Sequence, residues 1–408
     1  MINSHTKKET LVLEFFFIAL FAYMPSARPS DTNVWAAAIL VLTIDSLFKI
    51  LRQKSFEVDG AIGWYILVLF WGFVSCFWST NTSQFELYIL LYASVIIVGS
   101  ISIGMHINSS DDIDYIMKLM IIAGCYAGLR FCYYTPWDSI LSSGYYMRGS
   151  FGSLLDDVTN YNSYTSHLCI ITIIAAYYAI AKKVKWCRYA FIVLFAIVVF
   201  GGSRKNLLII PLITMFFAIS TGSISRRIRN VMLVCAAIAT AFYALMTMDV
   251  LSQIRDTFFE MLSGLSTSQA VDQSTIERIY LIQTAKNVWE NHIFLGVGWD
   301  NFRYYNTLKV YAHNSYYELL SCLGMIGFCI YYSFYIKLIG RPVIRIFKGR
   351  KNEMDVLTVG VMTGFLIQEY GAITLYGRER MIMLLIIATA YSLNSGSKLY
   401  KVVIGKNR

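Results

Sequence analysis

Long apolar runs separated by short polar intervals dominate the chain. Each holds roughly 20 residues, enough for a helix rising 1.5 Å per residue to cross a hydrocarbon core of about 30 Å. Twelve such runs predict helices near 11–25, 33–51, 60–78, 85–107, 113–134, 160–181, 186–202, 204–221, 229–248, 314–339, 354–374 and 379–395. Two polar intervals are long, one from about 135 to 159 and one from Asp249 to His313. Connections beyond roughly 12–15 residues are uncommon unless they serve a function. The larger one carries its own helical pattern. Ile276, Ile279, Ile282, Ala285 and Trp289 recur three and four apart, with Glu277, Arg278, Lys286 and Glu290 on other faces. After it, the heptapeptide GVGWDNF (296–302) reads as a glycine turn that lets backbone approach closely. The pattern divides the chain into helices one to nine (1–248), a large outer loop (249–313), and helices ten to twelve with a tail (314–408).

Composition fixes what these helices are for. Hydrophobic residues make up 57% of the chain and charged ones 15%, with mean hydropathy +0.54. Soluble domains carry roughly 25% charge, so the expected class is an all-α integral membrane protein of about twelve spans. The first run follows Lys7 and Lys8 without a small-residue cleavage site, which predicts a retained span rather than a signal peptide.

A net charge of +10 raises nucleic acid as a partner, but topology accounts for it. With both termini cytoplasmic, most basic residues fall inside, in clusters such as Lys182, Lys183, Lys185 and Arg188, or Arg226, Arg227 and Arg229. That is the positive-inside bias of membrane insertion, and no nucleic acid is needed. The eight cysteines contain no CxxC and fall mostly within spans, so they read as apolar packers. Asp111–Asp112 and Asp156–Asp157 read as caps or solvated loop charges rather than a metal site, so no metal or cofactor is expected. His5, His106 and His167 read as structural or exposed.

The outer cations are the ones insertion does not require, among them Arg148, Arg204, Arg278, Arg303, Arg378 and Arg380. Any one of them could be a headgroup anchor. An arginine at a helix end can also hold a phosphate in a bidentate fork. Arg278, near the positive end of the loop helix, is well placed for an anion. Glu369, near the end of the eleventh run, is expected to pair with Arg378 or Arg380.

Three segments carry a family resemblance: GGSRKNLL (201–208), ERIYLIQTAKNVWENHIFLGVGWDNF (277–302) and AHNSYYELLSCLGMIGFCIYY (312–332). Together they resemble the O-antigen ligase and O-antigen polymerase superfamily, multi-spanning enzymes that act on undecaprenyl-diphosphate-linked glycans. They correspond to that family's arginine after a span, its outer loop with arginine helix and glycine turn, and its His-Asn helix start. Ile293 stands where the family often has proline.

The resemblance implies a GT-C-like glycosyltransferase of the bacterial inner membrane with a diphosphate leaving group. It implies membrane lipid and a lipid-linked glycan as partners, and a chain-length regulator as a further one. Charge growing on the leaving oxygen needs cations, so Arg204 and Arg278 are the expected clamps, with Arg148, Arg378 and Arg380 as further candidates. His313 is the expected base at the acceptor hydroxyl, with Glu318 as the alternative, and Asn314 and Tyr317 as residues that orient His313 or bind sugar. The variant SRK, followed by AHNSYYELL and a helix ending in YY, is closer in style to Wzy-type polymerases than to ligases that transfer glycan to a lipid A core.

A transporter or lipid-linked-glycan flippase is the competing class. Only five prolines occur, Pro211 alone lies inside a predicted span, and no repeat relates the two halves. Transporters tend to show such repeats and broken helices around a midplane site.

Overall fold

The computed structural model describes residues 7–26, 28–53, 55–58, 60–134, 161–200, 204–247, 273–394 and 400–403, with 255 and 259 standing alone. Every predicted apolar run is helical. In chain order the helices are α1 (Lys7–Tyr23), α2 (Pro29–Gln53), α3 (Gly60–Ser75), α4 (Ser83–Gly104), α5 (Ser110–Tyr134), α6 (Tyr161–Ile180) and α7 (Lys185–Phe200). There follow α8 (Arg204–Ser220), α9 (Ile224–Thr247), α10 (Gln273–Asn291), α11 (Ser315–Phe347), α12 (Glu353–Glu369) and α13 (Arg378–Asn394). Four are both long and apolar enough to cross a membrane, Ser30–Gln53, Ser83–Gly104, Ser110–Tyr134 and Ser315–Phe347, and shorter apolar helices accompany them. Two short strands, β1 (Ser55–Val58) and β2 (Tyr400–Val403), pair antiparallel. Four residues each are too few for a hydropathy pattern to reveal.

The chain divides into two compact units, residues 1–41 with 114–269, and residues 42–113 with 270–408. In the first, α6 is buried on every face from Tyr164 to Ala179 and packs against α7 and α8. A helix apolar all round belongs in the interior. Arg130 of α5 forks onto Asp31 of α2 at 2.9 Å to each oxygen while lying over the Tyr23 ring at 4.3 Å. Helix α9 exposes Ile228, Met232, Leu233 and Tyr243, an apolar surface suited to lipid.

In the second unit, α13 is buried from Arg380 to Tyr391, and α11 packs on α3, α10 and α12. Helix α11 runs beyond its predicted end at 339 to Phe347 and so also contains Pro342. Its base is clamped where Arg345 pairs with the buried Asp355, which also closes a capping box with Asn352. His106, read as structural, takes Asp45 at 2.8 Å and the Ser102 carbonyl oxygen at 2.7 Å.

One expectation about the spans is corrected. Helix α11 is broken at Gly324 (φ 65°, ψ −173°). The break frees the Ser321 and Cys322 carbonyls, which accept from Val297 N–H (2.9 Å) and Gly298 N–H (2.7 Å). In return, Met325 and Ile326 donate to the Ile293 (2.8 Å) and Phe294 (3.3 Å) carbonyls. Backbone leaves helical form at membrane depth only where protein re-satisfies it, and here the glycine turn does so. A Cβ on Gly296 would lie 2.5 Å from the Cys322 carbonyl, and Gly296 itself has φ 67°. Glycine is required at that contact.

Candidate functional site

The site grows from the segment 292–318 of the second unit. Trp299, 1% exposed, anchors the glycine turn by packing on Phe85 and Tyr88, and its backbone N–H donates to Ser75 Oγ at 3.0 Å. Asn301 clips the turn to the α3–α4 connection, donating to the Asn81 carbonyl (2.8 Å) and accepting from Asn81 N–H (3.0 Å). Asn306 closes the next turn, donating to the carbonyls of Phe302 (3.0 Å) and Val310 (2.8 Å). Tyr280 of α10 is within 3.0 Å of Thr307 Oγ1, tying the loop helix to the same turn.

On this frame sit the ionisable groups. Asp300 is buried and left-handed (φ 52°), and its two oxygens hold Arg303 Nε at 3.1 Å and Nη2 at 2.6 Å. Burial raises the Asp300 carboxyl above the ordinary carboxylate range, against the opposing pull of Arg303. Asn314 caps α11, accepting from the N–H groups of Tyr316 (3.0 Å) and Tyr317 (3.2 Å). It also donates to the Tyr370 carbonyl (3.3 Å), and Ser315 Oγ donates to the Ala372 carbonyl (2.7 Å). The capped end of α11 is thereby tied to the α12–α13 connection.

Just before that cap, His313 takes a left-handed backbone (φ 53°) and lies against the Tyr311 ring at 4.3 Å. Glu318, one turn into α11, is 1% exposed. It accepts from Ala312 N–H (2.7 Å), Tyr376 OH (3.1 Å) and Cys322 Sγ (3.4 Å). Burial, and then the Glu318 charge, push the Tyr376 phenol well above its usual value.

Tyr311 feels the charges of several of these groups. Burial raises its phenol pKa, and the charges of Arg380, Arg278 and Arg303 pull it down while that of Glu318 pushes it up. Arg278 is exposed on α10, and among the described residues no carboxylate pairs with it. Arg380 is 5% exposed on α13, with Glu379 at 3.9 Å, and Arg378 lies over the Tyr92 ring at 5.7 Å. His313 thus lies against a phenol on which the charges of Glu318, Arg278, Arg303 and Arg380 act, with the Asp300 carboxylate held on Arg303. Such a site can hold an anion and take a proton beside it.

Residues 164–332 match the O-antigen ligase family model. That segment is similar to the O-antigen ligase domain, in line with a resemblance to the O-antigen ligase and polymerase superfamily. A search of curated proteins found no match. The matched segment takes in Arg204, Arg278, Asp300, Arg303, His313 and Glu318, whereas Tyr376, Arg378 and Arg380 lie beyond it. Its apolar helices and this family describe a bacterial membrane protein.

Of the residues expected from the sequence, His313 lies against Tyr311, Glu318 braces the turn before it, Asn314 caps the helix, and the charges of Arg278 and Arg380 act on the Tyr311 phenol. Tyr317 is half-buried on the first turn of α11. Arg204 is the first residue of α8, its side chain lying outside the described residues, as does Arg148. The pairing expected of Glu369 is corrected: it meets neither Arg378 nor Arg380. Its carboxylate is fully buried and accepts from Tyr331 (2.9 Å), Tyr332 (2.7 Å) and Tyr335 (2.7 Å). Three phenols from little more than one turn of α11 satisfy it without a guanidinium.

Sequence reasoning missed Asp300, Tyr311 and Tyr376. The available signals were an acid three residues before Arg303 and an aromatic two residues before His313. Among the described residues, no group of three His, Cys, Asp or Glu side chains gathers as a metal site.

Glu318 carries a measurable load. Glu318→Ala leaves Ala312 N–H and Tyr376 OH without their acceptor, each worth about 1–3 kcal/mol when buried. Thermal melting in detergent is expected to drop accordingly, with Glu318→Gln intermediate because it keeps one acceptor oxygen. An unchanged melt for Glu318→Ala would remove the brace.

Proposed function

We propose that the protein polymerises undecaprenyl-diphosphate-linked oligosaccharide repeat units into O-antigen or capsular polysaccharide at the outer face of the bacterial inner membrane. The observation that carries this reading is His313 against the Tyr311 ring beside the turn that Glu318 holds, with the charges of Arg278, Arg303 and Arg380 acting on the same phenol. The proposed architecture is a GT-C-like bundle of twelve spans with both termini cytoplasmic. In it, 1–248 and 314–408 form the membrane part and 249–313 the outer loop.

In the proposed reaction an acceptor sugar hydroxyl attacks the anomeric carbon of the donor glycan. The new C–O bond forms as the bond from that carbon to the diphosphate oxygen breaks, and the diphosphate leaves with the electron pair on its lipid carrier. His313 takes the hydroxyl proton. Arg278 and Arg380 stabilise the charge growing on the diphosphate, as fixed cations do at a leaving group, and no metal is required. Arg204, from the motif GGSRKNLL, is a further proposed anion ligand, and Arg148 and Arg378 are lesser candidates. Glu318 acts as a positioning residue: its lone pairs already serve Ala312 and Tyr376, and its hold on Ala312 fixes the turn that presents His313. Asn314 orients the same turn, and Tyr317 remains a candidate sugar contact.

A second reading, transfer of the glycan to a lipid A core, is favoured by the description of the matched family, which is O-antigen ligase. A flippase is the weaker alternative, because the break in α11 is filled by the glycine turn rather than left open for a cargo.

Reconstitution separates the three. Purified protein in liposomes with lipid-linked repeat units and EDTA should yield a ladder of longer lipid-linked chains and free undecaprenyl diphosphate. A ligase would give product only when a lipid A core acceptor is added. A flippase would move the substrate across the bilayer and leave its length unchanged.

A further inference from the structure

The arginines around Tyr311 differ in how their charge is balanced. Arg278 is exposed and pairs with no carboxylate among the described residues, so its positive charge is free to meet an anion. Arg303 is already neutralised. Its Nε and Nη2 edge lies on Asp300 at 3.1 and 2.6 Å, and the pair as a whole carries no net charge. The Asp300 backbone is left-handed between the buried Trp299 and the clip made by Asn301, and the residue is itself buried. The Arg303 side chain keeps 26% of its surface exposed, and its Nη1 is bonded to nothing among the described residues.

A neutral guanidinium–carboxylate pair is a poor ligand for a diphosphate. It is a good one for hydroxyl groups, because it offers N–H donors on one side and carboxylate lone pairs on the other, both charge-assisted. Adjacent hydroxyls of a sugar ring present the matching donor and acceptor. Two phenol rings, Tyr311 and Tyr376, lie close enough to feel the Arg303 charge, and aromatic faces suit the apolar face of a sugar.

We infer that Asp300 and Arg303 form a sugar-hydroxyl subsite, adjacent to the diphosphate site and distinct from it, that reads a ring of the glycan. The inference rests on the proposed glycosyl-transfer function and deepens it by separating the part of the site that sees the carrier from the part that sees the sugar. On this division Arg303 and Asp300 govern which repeat unit is accepted, and Arg278 governs affinity for any lipid diphosphate.

Two probes test it on the full-length protein in nanodiscs: sugar-free undecaprenyl diphosphate, and the same carrier bearing the host strain's repeat unit. Arg303→Gln and Asp300→Asn are expected to weaken binding of the repeat-unit probe by about 10- to 100-fold, the loss typical of charge-assisted hydrogen bonds, and to leave the sugar-free probe unchanged. Arg303→Lys should fail to restore it, because a point charge lacks the planar fork. Arg278→Ala should weaken both probes. Helicity and melting of each variant are measured alongside. If Asp300→Asn does not fold, variants of the partly exposed Arg303 carry the test. Equal loss of both probes in Arg303→Gln would make Arg303 a phosphate ligand and overturn the inference, and no loss of either would make the pair a structural clip. Wild-type protein that binds neither probe would instead sink the glycosyl-transfer reading itself.

Discussion

Arg278→Ala is expected to abolish polymer while the protein still inserts and folds, and Arg278→Lys to recover only part of the activity. The side chain is exposed on α10 and holds no carboxylate among the described residues, so its removal orphans nothing. Surface changes of that kind usually stay within about 0.5 kcal/mol of neutral, and the melting temperature should hold. The reaction is a different matter. Removing one preorganised donor from developing negative charge costs about 10²- to 10³-fold in kcat. Lysine restores the charge but not the two parallel N–H bonds with which arginine holds a phosphate. The check is a surface-glycan gel beside an initial-rate assay with purified protein and lipid-linked repeat units. A normal ladder in Arg278→Ala would remove Arg278 from the site. Arg204→Ala is expected to behave in the same way.

The helices were legible in the sequence because hydropathy is a property of each run by itself. That is why all twelve apolar runs are helical, with shifts at their ends, as at Phe347, and one internal break, at Gly324. The loop helix was legible too, but its inner face was not. Leu281, Ala285 and Val288 are its buried residues, while Ile276 and Ile279 are exposed. An apolar residue can serve protein or lipid equally well, so periodicity alone does not say which stripe meets α11.

The glycine turn was readable as a close approach, but what it approaches was not. The break at Gly324 lies within an apolar run, and its partners sit some thirty residues earlier in the chain. The charged residues divide on similar lines. Arg278 and His313 stood out because they interrupt or border apolar runs. Asp300 and Tyr376 are ordinary loop residues until the fold sets them beside Arg303 and Glu318. Glu369 was misread because three tyrosines spaced along one helix give no charge signal.

His313→Gly is expected to keep the fold and lose chain elongation, and the substitution is informative because of the backbone. His313 has φ 53°, a left-handed conformation that costs a residue with a Cβ roughly 1–2 kcal/mol and glycine nothing. Glycine therefore removes the imidazole while relieving strain, whereas His313→Ala removes the imidazole and keeps the strain. Strain retained at a site is itself a pointer to function, since a turn with glycine would be easier to fold. If the imidazole takes the acceptor proton, both variants lose the ladder of long chains while single repeat units still reach their normal acceptor. A ligase would instead leave long chains on the lipid carrier and none on the core, and a flippase would leave lipid-linked units at the cytoplasmic face. One gel of surface glycan beside a lipid-carrier extract distinguishes these outcomes. A normal ladder from His313→Gly would show that the imidazole takes no part in the chemistry and that Glu318, or a group not yet named, must accept the proton.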